Sequence, residues 1–327
     1  LDDLGLPSVY VPINRLKNSE IIKDGSENTH PAFSVDGVEK TRFFYSKYQN
    51  VVINGRAYSL SHRDPKTYIT FDAAREACEA KGAGFHLGTL AEWAAIALLT
   101  RKAGTMPHGN NNYGRDSAYT YEKGQEAAKD SDKTGRTFTG SGPATWGHDH
   151  TQFGIQDMNG NVWEWLGGMR LNEGEIQIIP YNNAAMGSEC DMSATSTLWK
   201  AIKNDGSLVD PGTAATLKYD YVSSHIQLTT GITAAADTGA GCTFDSMTLA
   251  SGITAPELAK ALIFYPDEPG GDYAGDYHYM NNSGERLPIA GGSWNYGAHA
   301  GVFYLYLSNP RSNSSSYLGF RSAFVEL

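Results

Sequence analysis

The chain has 327 residues, 40% of them hydrophobic, which is enough to bury a sizeable core. Its formal net charge of −10 and isoelectric point near 5.4 argue against nucleic acid as a partner, because non-specific nucleic-acid binding needs clustered Lys and Arg. No apolar run approaches the ~20 residues of a membrane span, and the first residues lack a charged region followed by an apolar one, so we expect neither membrane insertion nor a visible signal peptide.

Short strands and two helices are predicted in the first third of the chain. Residues 8–13, 42–48 and 51–53 are strand-like, and Asn54-Gly55 is typical of a two-residue hairpin turn. Thr70 is placed to cap a first helix that ends at Gly82. Thr89-Leu90-Ala91-Glu92 is a capping box for a second helix. Two helices among short strands indicate an α+β fold rather than repeated βαβ units.

The middle of the chain is predicted to contain long irregular segments. Residues 104–145 are rich in Gly, Asn, Ser, Thr and Lys, and residues 184–275 are rich in Thr, Ala, Gly and Ser. Segments this long inside a domain are usually functional loops or insertions. We therefore expect residues 1–327 to form a single domain with an insertion at about 184–275.

Three cysteines, Cys78, Cys190 and Cys242, show neither CxxC nor zinc-site spacing. Cys78 lies in an Ala-rich helical pattern and is interpreted as a small core residue. Cys190 and Cys242 are able to pair or to remain free, and we favour no bridge.

The C-terminal segment has an unusual composition. Between Asn295 and Tyr317 it contains no Lys, Glu, Gln, Asp or Met, and Tyr, Ser, Asn and Gly dominate. Antibody paratopes use the same residues, because Tyr offers a large amphipathic contact area and the small polar residues offer adaptable hydrogen bonding. The candidate ligand-binding residues are Asn295, Tyr296, His299, Tyr304, Tyr306, Ser308, Asn309, Ser314, Ser315, Ser316 and Tyr317.

Residues 302–308 within this segment are predicted to form a strand. Successive residues of a strand face opposite sides of the sheet, so Phe303, Leu305 and Leu307 share one face and are predicted to be buried. The other face carries Tyr304, Tyr306 and Ser308, which we predict to be exposed. The alternative is an ordinary half-buried strand with tyrosines on its wet side, since Tyr is a favoured strand residue.

The run GGSW, a polar stretch and LGFR near the C-terminus resemble the variable proteins of diversity-generating retroelements. In that family, substitution at template adenines turns Asn codons into codons for Tyr, His, Ser, Asp or Gly. The resemblance implies a variable region at about residues 291–327, in which Asn295 and Asn309 are unaltered template positions. Residues reachable by such substitution are Tyr296, His299, Tyr304, Tyr306, Ser308 and Tyr317.

A wider resemblance covers most of the chain. ITFDAAREACEAKG, GFHLGTLAEWAAIAL, FGIQDMNGNVWEW, and GGSW with LGFR occur in the order found in the formylglycine-generating-enzyme type of the C-type lectin fold. The resemblance implies a compact α+β domain with two helices, small twisted antiparallel sheets and much irregular structure. Oxidases of that type use two cysteines after the GGS block, and this chain has none after Cys242, so we expect no such activity.

Similar proteins of this type hold a calcium ion at the stretch that begins with Asp157. The resemblance implies a side-chain oxygen of Asp157 and the carbonyl oxygens of Met158, Gly160 and Val162 as ligands, a chemically sensible set for a hard cation. The alternative makes Trp163 and its neighbour Trp165 core anchors and Asn159-Gly160 a turn. Calcium stays an open structural cofactor, and no other cofactor is expected.

Two further charged groups stand out. His148-Asp149-His150 is interpreted as solvent-facing or hydrogen-bonding side chains rather than a metal site, which needs more ligands. Arg321 needs a carboxylate or carbonyl partner if it is buried, and Glu164 is the candidate; an exposed Arg is the alternative.

The sequence therefore predicts a non-enzymatic binding protein with a diversified surface. The expected setting is a phage or prophage receptor-binding protein on a virion tail, or a bacterial cell-surface protein, with a host surface protein or glycan as partner. Homo-oligomerisation stays open. The alternatives are an enzyme on the same scaffold, acting on a metabolite or peptide without cysteine chemistry, and a lectin of fixed specificity.

Overall fold

A computed structural model describes residues 1–327. Both predicted helices are confirmed, and each begins at its predicted cap. Thr70 accepts a hydrogen bond from the Ala73 amide, and Thr89 and Glu92 form a capping box in which each side chain bonds the backbone of the other. The longer helix ends at Gly104, whose φ of 71° is favoured for glycine. The α-helices are Asn18–Ile21, Phe71–Glu79, Leu90–Ala103 and Glu257–Ala261.

A four-stranded sheet joins the two ends of the chain. The C-terminal strand Ser322–Phe324 lies between Arg42–Ser46 and Phe85–Leu87, antiparallel to both. In sheet order the strands are Tyr10–Asn14, Arg42–Ser46, Ser322–Phe324 and Phe85–Leu87. The last residues are therefore an integral part of the core and not a tail.

Thirteen strands form the larger sheet. Its main path runs through Gly239–Thr243, Tyr277–Asn281, Leu305–Asn309, Glu285–Ala290, Met169–Asn172, Glu175–Ile178, Lys218–Val222, His225–Thr229 and Thr248–Leu249. Strand Trp163–Trp165 pairs with Glu285–Ala290 and Leu318–Phe320, and strand Lys200–Ile202 pairs with Glu175–Ile178 and Leu208–Val209.

Three short hairpins complete the strands. The predicted turn at Asn54-Gly55 is confirmed, because it joins Val51–Ile53 to Arg56–Tyr58. The other two hairpins pair Ser34–Val35 with Val38–Glu39, and Lys129–Asp130 with Lys133–Thr134.

Residues 184–275 contain more regular structure than their composition suggests. Six of the thirteen strands lie in this segment, between Lys200–Ile202 and Thr248–Leu249, and all of them join the larger sheet. Core side chains such as Tyr219 and Leu228 are fully buried there. The segment therefore extends the sheet toward the predicted ligand-binding residues.

The helix Leu90–Ala103 and the sheet faces pack into two apolar clusters. Trp93 and the four residues after it are completely buried in a cluster of 45 residues. A second cluster of 19 residues contains Trp163, Trp165 and Phe320 and lies behind the candidate binding residues. The interpretation of both tryptophans as core anchors is confirmed.

A buried ion pair ties the end of the chain to FGIQDMNGNVWEW. The Arg321 guanidinium donates to Glu164 at 2.7 Å, and both side chains are excluded from water. Arg321 also donates to the carbonyl oxygens of Ser46, Lys47 and Gln156. The predicted pairing is confirmed, and every charge in it is compensated, as burial requires.

Few helices, one larger sheet and several small ones confirm the predicted α+β class. All three cysteines are buried and free, which agrees with the absence of a Cys190–Cys242 bridge. No helix has the combination of length and apolar character that crossing a bilayer requires.

Candidate ligand-binding surface

The candidate binding residues lie on a strand and two loops at one face of the larger sheet. The first loop contains a short 3₁₀ turn at Gly297–His299, the strand is Leu305–Asn309, and the second loop covers residues 310–317. Strand Tyr277–Asn281 runs parallel to Leu305–Asn309, with Tyr279 opposite Tyr306.

The predicted strand begins three residues late, at Leu305, and this changes the position of Tyr304. Residues 301–303 form a turn, which the Asp276 carboxylate holds by accepting a hydrogen bond from the Phe303 amide at 2.8 Å. Tyr304 is only 3% exposed, and its ring packs edge-on against Trp163 with centroids 4.6 Å apart. The prediction that Tyr304 is an exposed binding residue is therefore wrong; it is a core residue, and burial raises its pKa.

Asn309 is a second correction. It shares the inward face of its strand with Leu305 and Leu307, because alternate residues point the same way, and it is buried. Its side-chain oxygen accepts a hydrogen bond from the Asn313 amide within the following loop. Asn309 therefore orders the loop and does not present its side chain to a ligand.

The other nine candidates keep part or all of their surface exposed. The rings of Tyr296, His299 and Tyr306 contact other aromatic rings, and Tyr317 is 41% exposed. Ser315 differs from the rest, since its hydroxyl is buried although the residue is partly exposed. The nine residues are Asn295, Tyr296, His299, Tyr306, Ser308, Ser314, Ser315, Ser316 and Tyr317.

The half-buried rings of Tyr296 and Tyr306 pack against Trp163. The rings of Tyr296 and Tyr306 lie 5.0 and 5.4 Å from it, between centroids, in tilted or edge-on geometry. Such aromatic pairs add about 0.5–1.5 kcal/mol beyond area burial. Burial raises the pKa of Tyr306 to about 12, so its phenol stays protonated and able to donate.

Two tyrosines that the sequence did not single out belong to the same surface. Tyr279 stacks on Tyr306 with centroids 4.7 Å apart and planes 8° apart, and Tyr277 stacks on His299 at 4.6 Å and 24°. Both are half-buried. The alternation in Tyr277-His278-Tyr279 was the available signal, but it precedes the segment whose composition drew attention. We call Tyr277, Tyr279, Tyr296, His299, Tyr306 and Tyr317 the tyrosine surface.

The backbone under the first loop is held by groups outside it. The Gly297 amide donates to the Asn111 carbonyl at 2.8 Å, and the Tyr113 amide donates to the Trp294 carbonyl at 2.7 Å. The indole of Trp93 donates to the Val302 carbonyl at 2.7 Å. None of these bonds uses a side chain of the exposed candidate residues.

The second loop is held in the same way. The Tyr68 amide donates to the Ser315 carbonyl at 2.9 Å, and the Trp163 amide donates to the Tyr317 carbonyl at 2.8 Å. Arg136 donates to the Ser316 carbonyl at 3.2 Å and is itself fixed by Asp64. The loop conformation therefore depends on main-chain oxygens, which every residue type supplies.

The only charged side chain between Asn295 and Tyr317 is Arg311, and it is already paired. Its guanidinium forms ion pairs with Asp72 at 2.8 Å and with Glu285 at 3.0 Å. It also lies over the ring of Phe71. The tyrosine surface is left with aromatic rings, phenol hydroxyls and the His299 imidazole as its means of contact.

The predicted calcium ligands do not fit a cation as they lie. The carbonyl oxygens of Gly160 and Val162 converge, but on the buried side-chain nitrogen of Gln49, which donates to Val162 at 2.9 Å. The same nitrogen donates to the Asp157 carbonyl and the Glu164 carboxylate. A neutral amide thus fills the position that a cation would need.

The remaining predicted ligands are also turned elsewhere. One carboxylate oxygen of Asp157 accepts a hydrogen bond from the Gly140 amide, and the other is buried with no partner. Burial raises the pKa of Asp157 to about 6, which favours a proton on this carboxyl. The Met158 carbonyl lies close to Gly291, where an added Cβ would approach its oxygen to 2.8 Å.

His148, Asp149 and His150 do not form a joint site. The His148 ring accepts a hydrogen bond from the Ile155 amide, and the His150 ring bonds the Met106 carbonyl. The side chains of His148 and Asp149 approach only to 3.9 Å. No group of three His, Cys, Asp or Glu residues in the chain is arranged to hold a metal ion.

Comparison with protein families supports this fold. Residues 32–187 match the family described as the sulfatase-modifying factor enzyme 1-like domain, FGE-sulfatase. The match contains both helices and FGIQDMNGNVWEW, three of the four sequence blocks that predicted it. Over residues 32–187 this match confirms the predicted fold class, a C-type lectin fold of the formylglycine-generating-enzyme type. No curated protein matches the sequence.

Among solved structures, the chain is similar to Treponema denticola variable protein 1, with 12% identity and a TM-score of 0.34 over 96% of this chain and 94% of that one. It is also similar to the P3c and M1 variants of Major Tropism Determinant, each with 12% identity and TM-scores of 0.31 and 0.32. In both cases the match covers 95% of this chain and 60% of the other, so the chain spans less than two thirds of their length.

Proposed function

We propose that this chain is a ligand-binding protein whose C-terminal surface is diversified by a retroelement. The observation that supports the proposal is that the backbone and the side chains of residues 295–317 have different roles. Their backbone is fixed by hydrogen bonds with constant groups such as Asn111, Tyr68 and Trp163, while nine of the eleven candidate side chains keep exposed surface. A surface built in this way can change its side chains and keep its shape.

The chemistry of the surface suits recognition by a few aromatic anchors. Half-buried tyrosines lose little rotamer freedom on binding, since stacking on neighbours already restricts them. In protein interfaces a few such residues contribute most of the affinity, about 2–4 kcal/mol each on truncation. Tyr296, Tyr306 and Tyr317 are the anchors we expect, with a host surface protein or glycan as ligand.

The setting that agrees best with such a surface is a phage or prophage receptor-binding protein or adhesin. A virion tail carries repeated copies of its receptor-binding protein, and repeated copies raise the effective affinity of a weak single site by roughly 10²–10⁴-fold. A protein displayed on a bacterial cell surface is the second setting.

Thiol chemistry is disfavoured by the same structure. Burial raises the pKa of Cys190 to about 11 and also raises the pKa of Cys78 and Cys242, so none is held as a thiolate. All three lie outside the tyrosine surface. We therefore propose a binding protein rather than an enzyme.

The diversification is tested by reading the DNA that flanks the gene. We expect a near-copy of the 3′ end of the gene beside a reverse-transcriptase gene, with differences concentrated where the copy has adenine. In related genes the codons of Tyr306, Ser316 and Tyr317 should vary most. Identical codons at these positions, combined with free variation elsewhere in the gene, would contradict the proposal.

Ligand binding is tested with intact bacterial cells as the probe. Labelled protein should be retained by the cells of a susceptible strain, and Tyr296→Ala combined with Tyr306→Ala should abolish retention without unfolding the protein. Tyr181→Ala is the matched control, because Tyr181 is 57% exposed and lies outside residues 291–327. Equal retention of the native protein and the double variant would contradict the assignment of the surface.

A further inference from the structure

We infer that the binding surface has a constant half, formed by Tyr277 and Tyr279, which contacts a protein ligand in every diversified version of this chain. The inference rests on the proposed function. Both residues precede residues 291–327, so diversification of that region leaves them unchanged.

The geometry places these two rings in direct continuity with the diversified ones. The parallel pairing of Tyr277–Asn281 with Leu305–Asn309 brings Tyr279 beside Tyr306, and their rings are stacked at 4.7 Å. Tyr277 is stacked on His299 at 4.6 Å. A ligand that covers Tyr306 and His299 therefore also reaches the partly exposed rings beside them.

The rings lie over a strand that offers bare backbone. In Gly239–Thr243, which is antiparallel to Tyr277–Asn281, two glycines lie under the tyrosines. A Cβ added to Gly239 would lie 2.6 Å from the Tyr279 hydroxyl, and one added to Gly241 would overlap the ring of Tyr277. The segment 184–275 thus supplies the space in which both constant rings lie flat.

The chemistry of the constant half favours a protein over a glycan. Proteins that bind sugars stack the sugar ring on an aromatic side chain and also bond its hydroxyl groups with several charged or amide side chains in a concave site. None of the six residues of the tyrosine surface carries a carboxylate, a guanidinium or an amide side chain, and the guanidinium of Arg311 is already paired with Glu285. Stacked, uncharged tyrosine rings instead match the aromatic and aliphatic side chains that lie at the centre of protein interfaces.

The test uses ligands chosen by selection, so that no natural ligand is needed. The nine exposed positions are randomised in the full chain, the library is displayed on phage, and binders are selected separately against lysozyme and streptavidin. A glycan array is screened in parallel. Tyr279→Ala and Gly239→Ala are then introduced into several binders for each protein, and dissociation constants are measured beside melting temperatures.

We expect Tyr279→Ala to weaken binders of both proteins at least about 10-fold, which corresponds to about 1.4 kcal/mol. Gly239→Ala, which displaces the ring and alters no contact residue, should weaken them about 3-fold or more. Tyr279→Phe should retain most of the affinity, because the stacked ring remains. Tyr181→Ala should change nothing. If Tyr279→Ala does not fold, the inference is judged from the dissociation constants of the Gly239→Ala and Tyr279→Phe variants.

Three outcomes would overturn the inference. If Tyr279→Ala and Gly239→Ala both change the affinities of the binders by less than about 2-fold, the inference of a constant half is wrong and the proposed function is unaffected. Binders to the glycan array alone would overturn the assignment of a protein ligand. A library that yields no binders to any target would contradict both the inference and the proposed function.

Discussion

Two adjacent parts of the C-terminal segment are held in place by different means. Residues 318–325 pair as strands and are also held by their side chains: Phe320 is buried between strands, and Arg321 forms an ion pair with Glu164. Residues 295–317 are held mainly by their main chain, through bonds to Asn111, Tyr68 and Trp163. The comparison shows that a chain can hold a loop precisely while leaving most of its side chains free to change.

The largest expected effect lies in the side-chain-held part. Arg321→Met leaves the Glu164 carboxylate buried without a cation, and breaking a buried pair in this way costs about 3–5 kcal/mol. The free energy of unfolding, measured in urea, should fall by that amount. Arg42→Met is the control, because Arg42 is exposed on a neighbouring strand and should change stability by less than about 0.5 kcal/mol. A loss below 1 kcal/mol for Arg321→Met would show that the pair does not hold the segment.

Tyr304 sharpens the comparison, since it is the one tyrosine among the candidate binding residues that the fold buries. Tyr304→Ala should cost about 3 kcal/mol, in the range of large aromatic truncations in cores. Tyr317→Ala should cost less than about 0.5 kcal/mol because its side chain is exposed. Denaturant titrations of both variants measure the difference. Similar losses for the two would mean that exposure does not separate structural from replaceable positions.

Asp157 gives a pH-dependent test of the buried side-chain network. The folded state raises the pKa of this carboxyl from 3.8 to about 6, so it binds a proton more tightly than the unfolded state. Stability contributed by the protonated group is therefore full below pH 4 and is lost as pH rises toward 6. Asp157→Asn should equal the native protein at pH 4 and exceed it by about 2 kcal/mol at pH 7.

Urea titrations at the two pH values check this difference. Asp149→Asn is the matched control, since it makes the same chemical change on a side chain that is 42% exposed. A stability difference for Asp157→Asn that is the same at both pH values would rule out the titration of this carboxyl as its cause.

Substitution of Gln49 is expected to give the smallest of the four changes in stability. Gln49→Ala removes the donor shared by four buried oxygens, and should cost about 1–2 kcal/mol. Because the amide nitrogen stands where a cation would be needed, EDTA should leave the melting temperature of the native protein unchanged. A decrease of several degrees in EDTA would show that calcium does bind there. Exposed Gln152→Ala serves as the control for the substitution.

Local signals predicted the parts of the fold that local physics decides. The caps at Thr70 and Thr89 and the turn at Asn54-Gly55 were read correctly, because each depends on neighbours within four residues. The Arg321–Glu164 pair was also anticipated, from the rule that a buried guanidinium needs a carboxylate.

Tertiary contacts decided what the sequence could not. Alternation alone placed Tyr304 on the exposed face, but Asp276, which directly precedes the neighbouring strand Tyr277–Asn281, accepts a hydrogen bond from the Phe303 amide and holds the turn that directs the Tyr304 ring inward. The strands within residues 184–275 were missed because small residues dominate the composition of the segment as a whole, although Lys218–Val222 and His225–Thr229 themselves carry strand-favouring Tyr, Val, Ile and Thr. Tyr277 and Tyr279 were missed because parallel pairing joins segments that are distant in sequence.

The position of Ser322–Phe324 between two strands from the first third of the chain has a consequence for any gene whose 3′ end is repeatedly rewritten. A copying event that shifts the reading frame, or ends translation early, removes a central strand and with it the cationic half of the ion pair at Glu164. Products of that kind lose their core and become substrates for proteolysis. Only copies that keep the reading frame give a folded protein. The need for this strand therefore eliminates defective variants before ligand binding can select among the rest.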